Sequence, residues 1–223
     1  GGGPGERAAD IGSGTGDELQ ALAAAVLPGG EAIGVEPNAG LRAEAARRAT
    51  EAGSAATFVD GDAYALPFPD ASVDVARCER VWQHLDHPER AAIEIARVLR
   101  SGGRVALIDT DWATAIIHPG DPEVLERLHR FWLSRFPNPL SGRRLTGQLT
   151  AAGLVVDDLG SQALIQDARA IDTIMTMSTD LALAEGVITE PERDNLVADL
   201  RAGASRGDFH FSVTMFGVLA HKP

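Results

Sequence analysis

The sequence predicts an α/β fold: a parallel, doubly wound sheet with helices on both faces, extended by further helices in its second half. Three observations lead there. Up to Asp109, short β-type runs alternate with longer helical ones. Those helical runs have the length, roughly 10 to 14 residues, that a right-handed crossover between parallel strands needs. A glycine-rich turn, Gly12-Ser13-Gly14-Thr15-Gly16, directly follows the first β-type run, and open α/β sheets bind ligands at the carboxyl ends of their strands.

In order along the chain, Arg7–Ile11 reads as a strand and Glu18–Leu27, rich in Ala and Leu at helical spacing, as a helix ended by Pro28-Gly29-Gly30. Ala32–Glu36 is a buried strand, Ala39–Ala52 a helix with Arg and Glu on its outer face, and Ala56–Val59 a third strand. After the loop Pro67-Phe68-Pro69-Asp70 comes a fourth strand, Val73–Cys78. Pro88–Leu99 is a strong helix with Ile93, Ala96 and Leu99 at core spacing, and Ser101-Gly102-Gly103 turns the chain into a fifth strand, Arg104–Asp109. The rhythm then changes. His118–Phe136 reads as an amphipathic helix started by Pro119, with Leu125, Leu128 and Trp132 on one face, and Arg144–Ala152 as another helix. Leu154–Leu164 is a strand, Ala170–Ala184 and Pro191–Ala202 are helices, and Phe209–Ala220 is the last strand.

Composition narrows the partners. The 223 residues are 44% hydrophobic, carry a formal net charge of −12 and fit one α/β domain. The only dense basic clusters are Arg47-Arg48 and Arg143-Arg144, too short to offset phosphate repulsion, so nucleic acid and anionic membranes are not expected partners. No run approaches the roughly 20 apolar residues of a membrane span. A single cysteine, Cys78, allows neither an internal disulfide nor a cysteine metal cage and suits a reducing cytoplasm. The chain opens on Gly1-Gly2-Gly3-Pro4-Gly5 without Met or a signal pattern, which reads as a start that has been trimmed, engineered or left out.

The glycine turn is informative in its details. Backbone approaches a ligand closely only where side chains are absent, hence the alternation of Gly12, Gly14 and Gly16. A dinucleotide loop spaces its glycines G-x-G-x-x-G and seats a pyrophosphate on the helix N-terminus. Here the third glycine comes one residue early, and Asp17 and Glu18 follow it. Carboxylates at that place repel a pyrophosphate but tolerate an ammonium, and Asp10 adds another acid before the turn. Glu36 closes the second strand, where a carboxylate can accept both hydroxyls of a ribose.

Asp10-Ile11-Gly12-Ser13-Gly14-Thr15-Gly16 resembles the first motif of the class I S-adenosylmethionine-dependent methyltransferases. Leu66–Val75 and Ile95–Gly103 resemble that family's small-molecule branch, which includes the ubiquinone and menaquinone biosynthesis methyltransferases. The resemblance covers about Glu6 to Asp109 and implies S-adenosylmethionine as cofactor, with S-adenosylhomocysteine as product. It implies that Asp10, Gly12, Ser13, Gly14 and Gly16 hold the methionine portion, Glu36 and Pro37 the ribose, and Asp62 and Ala63, after the third strand, the adenine. Cys78, through its backbone, and Gln83 complete the expected contacts. The implied fold is Rossmann-like, a seven-stranded, mostly parallel sheet whose C-terminal pair, Leu154–Leu164 and Phe209–Ala220, includes an antiparallel strand. Residues 1–223 are expected to form one domain, with helical lid insertions at 112–142 and 169–207 over the acceptor.

Methyl transfer from a sulfonium is an in-line displacement in which positioning does most of the work. A base is needed only for an acceptor whose proton has a pKa above ambient pH. Relatives often carry a His-His pair where this chain has Gln83-His84, and some use the first of that pair as base together with an acid ending the fifth strand. Gln83 cannot take a proton, so His84 and Asp109, with Asp111 just beyond, remain the catalytic candidates. The plain alternatives are a histidine packing under the cofactor and an acid capping the loop. The residues clustered at 84–87 lack the spacing and the second ligand segment of a metal site, and no metal is expected. Trp112, Trp132 and Met175, with Phe131, Phe136, Met177, Phe209 and Phe211, either line an apolar acceptor pocket or form ordinary core. The first strand lies so near the start that part of the lid is expected to be missing. The expected partner is a small, hydrophobic or aromatic acceptor, with the protein a monomer or homodimer. Two alternatives stay open: a protein of the same fold that binds the cofactor without transferring its methyl, and a nicotinamide oxidoreductase.

Overall fold

The structure is a computed structural model that describes residues 2–223. Its strands are β1 (Arg7–Ile11), β2 (Glu31–Val35), β3 (Thr57–Val59), β4 (Val73–Glu79), β5 (Leu99–His118), β6 (Val155–Gln166) and β7 (His210–His221). Its α-helices are α1 (Asp17–Val26), α2 (Ala39–Glu51), α3 (Pro88–Val98), α4 (Pro122–Arg135), α5 (Ser141–Ala151), α6 (Thr176–Ala184) and α7 (Glu190–Arg206). The strands form one sheet in the order β3-β2-β1-β4-β5-β7-β6. β1 is parallel to both β2 and β4, β2 to β3, and β4 to β5, and the C-terminal strands supply the antiparallel part. The chain winds outward through β2 and β3, then returns to lay β4 on the other side of β1. The order therefore reverses between β1 and β4, the switch point at which such sheets open a crevice.

The chain divides into two compact units. Among the described residues, the first comprises 2–109, 144–160 and 217–223, the second 110–143 and 161–216. In the first, α1 buries Leu19, Ala23 and Val26 against Ala8, Ala32 and Val75 of the sheet, with Leu22, Ala56 and Phe58 packed around them. Each large side chain so buried contributes about 1.5–3 kcal/mol. α3 buries Ala91, Ala92, Ile95 and Val98. This corrects the expected stripe: Ile93 is 60% exposed, because the helix turns its small residues and Ile95 toward the sheet. Lys222 donates through Nζ to the Ala96 and Leu99 carbonyls (2.7 and 2.8 Å), satisfying acceptors that the end of α3 leaves open.

In the second unit Val124, Leu128, Phe131 and Trp132 of α4 pack with Ile171, Met175, Ala182, Leu196, Leu200 and Phe211. Two boundaries differ from expectation. The strand after α3 runs from Leu99 to His118, well past Asp109, and α4 starts at Pro122, because the Asp121 carboxylate caps it by accepting from the Glu123 and Val124 N–H groups. The segment expected as a helix over Ala170–Ala184 opens with a π-helical turn, Ile171–Met175, before α6. α7 carries the full reciprocal cap between Thr189 and Glu192, and Gly207 ends it in the left-handed conformation. Among the described residues no helix is long and apolar enough to cross a membrane.

Candidate functional site

The turn after β1 is built by backbone constraint. The Gly12 and Ser13 N–H groups both donate to the Val35 carbonyl of β2 (2.8 and 3.2 Å), which ties the turn to the neighbouring strand. Gly16, at the N-cap of α1, has φ +77°, and a Cβ there would lie 2.5 Å from the Phe58 ring. Gly12, at φ +70°, would drive a Cβ to 2.3 Å from Val81. Gly14 differs: its φ is +53°, yet a Cβ would meet nothing within 4 Å. Two glycines thus serve close packing, while Gly14 faces open space.

That space is a cavity of about 280 Å³ lined by Asp10, Gly12, Ser13, Gly14, Thr15, Asp17, Glu18, Arg77, Glu79 and Arg80. Asp10 is 3% exposed, and burial raises its carboxyl to about 6, a rise that Arg77 opposes and Glu79 and Glu18 reinforce. Arg77 and Asp10 are register partners on β4 and β1. The guanidinium lies 3.3 Å from Asp10 Oδ1 and 3.5 Å from Glu18 Oε2, and it also bonds Glu79. Asp17, by contrast, is held by Thr15 Oγ1 and Arg48, which keep its carboxyl below the usual range. Sequence reasoning missed Arg77. Its one signal is an arginine inside an otherwise apolar stretch of β4, Val75-Ala76-Arg77-Cys78.

Glu36 stands at the tip of β2 and is 7% exposed. Its Oε2 accepts from the Gly14 N–H at 3.0 Å and its Oε1 from the Asn38 N–H at 2.9 Å. A carboxylate has about four lone-pair sites, so acceptor capacity remains on both oxygens. Pro37 is exposed and its carbonyl accepts from Arg42 at 2.8 Å. Beyond β3, Asp62 is exposed and Ala63 buried; Asp62 Oδ1 closes a turn by accepting from the Tyr64 and Ala65 N–H groups. A clamp from α3 braces the following loop: Glu94 accepts from the Leu66 N–H, and Arg97 donates to the Leu66 and Phe68 carbonyls and to Asp70.

At the end of β4, Cys78 is buried, and burial, aided by Asp10 and Asp109, pushes its thiol well above its ordinary value, which leaves it an inert filler. Arg80 follows in the left-handed conformation (φ +55°), an uncommon state for a residue with a Cβ. The chain then makes a short 3₁₀ turn, Trp82–His84. Trp82 is buried and donates its indole N–H to Gln148 at 2.9 Å. Asp109, 1% exposed, accepts from the Gln83 N–H at 3.2 Å and so fixes this turn. Gln83 is buried, and its amide nitrogen lies 3.3 Å from the Arg80 carbonyl and 3.2 Å from the His84 ring, which is exposed.

In the second unit, Met175 is fully buried and Trp132 is 7% exposed, both inside the core. Trp112 stacks on Phe136, centroids 5.0 Å apart at 11°. Asp111 is buried and ion-paired with Arg143.

Carboxylates, turned backbone and small residues gather at the carboxyl ends of β1 to β4, around the switch point where open α/β sheets bind ligands. Comparison with known proteins is more specific. Residues 9–107 match the methyltransferase domain family. An uncharacterised 37.1 kDa protein in a transposon of Streptomyces fradiae is 34% identical over 221 residues, 97% of this chain and 63% of that protein. The ubiquinone/menaquinone biosynthesis C-methyltransferase UbiE of Ectopseudomonas mendocina is 32% identical over 145 residues, 64% of this chain and 54% of the enzyme. The chain thus spans less than two thirds of the length of either relative. The crystal structure of YcgJ from Bacillus subtilis superposes with a TM-score of 0.68 at 24% identity, covering 99% of this chain and 93% of that one. A geranyl diphosphate methyltransferase in complex with S-adenosylmethionine does so with a TM-score of 0.60 at 18% identity, covering 99% and 73%. Residues 9–107 are thus similar to a methyltransferase domain, the chain adopts the class I methyltransferase fold, and it resembles UbiE.

Proposed function

We propose that the protein is an S-adenosylmethionine-dependent methyltransferase acting on a small, hydrophobic acceptor. The observation that carries this is the cavity beside Gly14, walled by Asp10, Glu18, Glu79 and Arg77. Its acids suit an ammonium, and they disfavour the pyrophosphate that a nicotinamide dinucleotide would place there. Glu36 then serves two vicinal hydroxyls, Asp62 an exocyclic amine, and Ala63 leaves room for a ring. When bound, the cofactor supplies an electrophilic methyl on a sulfonium. Cys78 keeps the floor of the site small. Asp109 holds the Trp82–His84 turn through the Gln83 N–H, and His84, at the end of that turn, takes the proton of an acceptor that must lose one. Trp112 is the aromatic candidate for acceptor contact. Trp132 and Met175 are assigned to packing, since both sit inside the core of the second unit.

Gln83 favours one further reading, cofactor binding without methyl transfer, because an amide bonded to the Arg80 carbonyl cannot serve as a base. Calorimetry with S-adenosylhomocysteine tests the first step, and no binding at high micromolar concentration by folded protein defeats the assignment. Labelled-methyl transfer to small aromatic acceptors tests the second. Binding without release of the homocysteine product across the acceptor set favours the non-transferring protein.

A further inference from the structure

The proposed cofactor ends in an amino acid, a zwitterion, and the acids of the cavity answer only its ammonium. The cavity also holds cations. Arg80 is a weakly held one: its side chain is 61% exposed and its Nε lies 3.6 Å from Glu79. Arg77 is built in. It rises from the middle of β4 opposite Asp10, its side chain is only 20% exposed, and Asp10, Glu18 and Glu79 surround its guanidinium. A charge this enclosed is costly to desolvate unless paired, and here the pairing serves a cavity wall rather than a packed core.

A guanidinium presents a planar fork of five donors. The 3.3 and 3.5 Å separations from Asp10 and Glu18 are longer than the 2.7–2.9 Å of a tight charge-assisted bond, so of its three acids only Glu79 grips it closely. We infer that Arg77 is the receptor for the carboxylate of the cofactor's amino-acid end, with Asp10 and Glu18 left to the ammonium, so that the cavity reads both charges of a zwitterion. This inference rests on the methyltransferase reading above.

The test compares S-adenosylhomocysteine with its decarboxylated analogue, S-adenosylthiopropylamine, by titration calorimetry on the whole chain. Wild-type protein is expected to prefer the carboxylate-bearing ligand by roughly 10- to 100-fold, the range for a charge-assisted hydrogen bond. In Arg77→Met the affinity for S-adenosylhomocysteine falls by a similar factor. The analogue, whose positive charge then meets three unopposed acids, binds as well as to wild type or better, and the preference collapses. Arg77→Lys, which keeps the charge without the fork, recovers part of it. Arg80→Met is the internal comparison and keeps the preference.

A wild-type protein that binds both ligands within about threefold overturns the inference whether or not the variants fold. So does an Arg77→Met or Arg77→Lys protein with the full wild-type preference, or a collapse confined to Arg80→Met. All three leave the methyltransferase reading standing. That reading fails on a different result, a folded wild-type protein that binds neither ligand.

Discussion

Protonation of Asp10 should control cofactor affinity. The carboxyl is 3% exposed and titrates near pH 6, raised by burial. A ligand ammonium needs it ionised, so binding must draw its proton off wherever the free protein holds one. Apparent affinity then scales with the ionised fraction. Between pH 7 and pH 5 that fraction falls about tenfold for a group titrating at about 6, and the dissociation constant of S-adenosylhomocysteine should rise by the same factor. Calorimetry in two buffers of different ionisation enthalpy should also register proton release on binding, about 0.9 proton per ligand at pH 5 and about half a proton at pH 6. The same group makes a prediction about stability with the opposite sign from an ordinary surface aspartate. Below pH 3.8 Asp10 is protonated folded and unfolded alike. From there to about 6 the unfolded chain gives up its proton first, so stability falls as pH rises, and the full cost, about 3 kcal/mol, persists above that. Asp10→Asn removes the cost while keeping an acceptor near Arg77. At pH 8 it should melt several degrees higher than wild type, bind S-adenosylhomocysteine more weakly and lose the pH dependence. A dissociation constant flat from pH 5 to 7.5, or an Asn variant that melts lower, refutes the role given to this residue.

The other predictions concern scaffold and ligand separately. Gly14→Ala meets no neighbour, so it should cost stability only the roughly 1–2 kcal/mol of a left-handed alanine while lowering ligand affinity; Gly16→Ala, driven into Phe58, should cost more, and paired thermal melts and titrations separate the two. Glu36→Gln places an amide NH₂ against either the Gly14 or the Asn38 N–H, so stability should drop by about 1–3 kcal/mol in urea titration, together with nucleoside affinity. Arg97→Ala releases the Leu66 and Phe68 carbonyls and Asp70. Hydrogen exchange of the 62–70 loop should rise, and adenosine-bearing ligands should bind more weakly than in wild type.

The sequence marks candidate residues where position along the chain is local information, and it says less where the outcome depends on packing. In a parallel sheet each strand delivers one or two residues to the carboxyl edge, so Asp10, Glu36 and Asp62 stand out by position along the chain alone. The glycine turn was legible as a turn, but the different duties of Gly12, Gly14 and Gly16 depend on Val81 and Phe58, which come from other elements. Arg77 was hidden for a related reason. Inside a strand, an arginine signals only a polar face, and its meaning comes from the register that lays β4 against β1 and sets it opposite Asp10. The extension of β5 was masked by Asp109 and Asp111, which read as the end of an apolar run; both are buried, one taken up by the Gln83 N–H and the other by Arg143. The aromatic set of the second unit shows the limit most clearly. Trp132 and Met175 share a core with Leu128 and Phe211, and helical spacing cannot tell a core stripe from a pocket wall, because both are apolar faces.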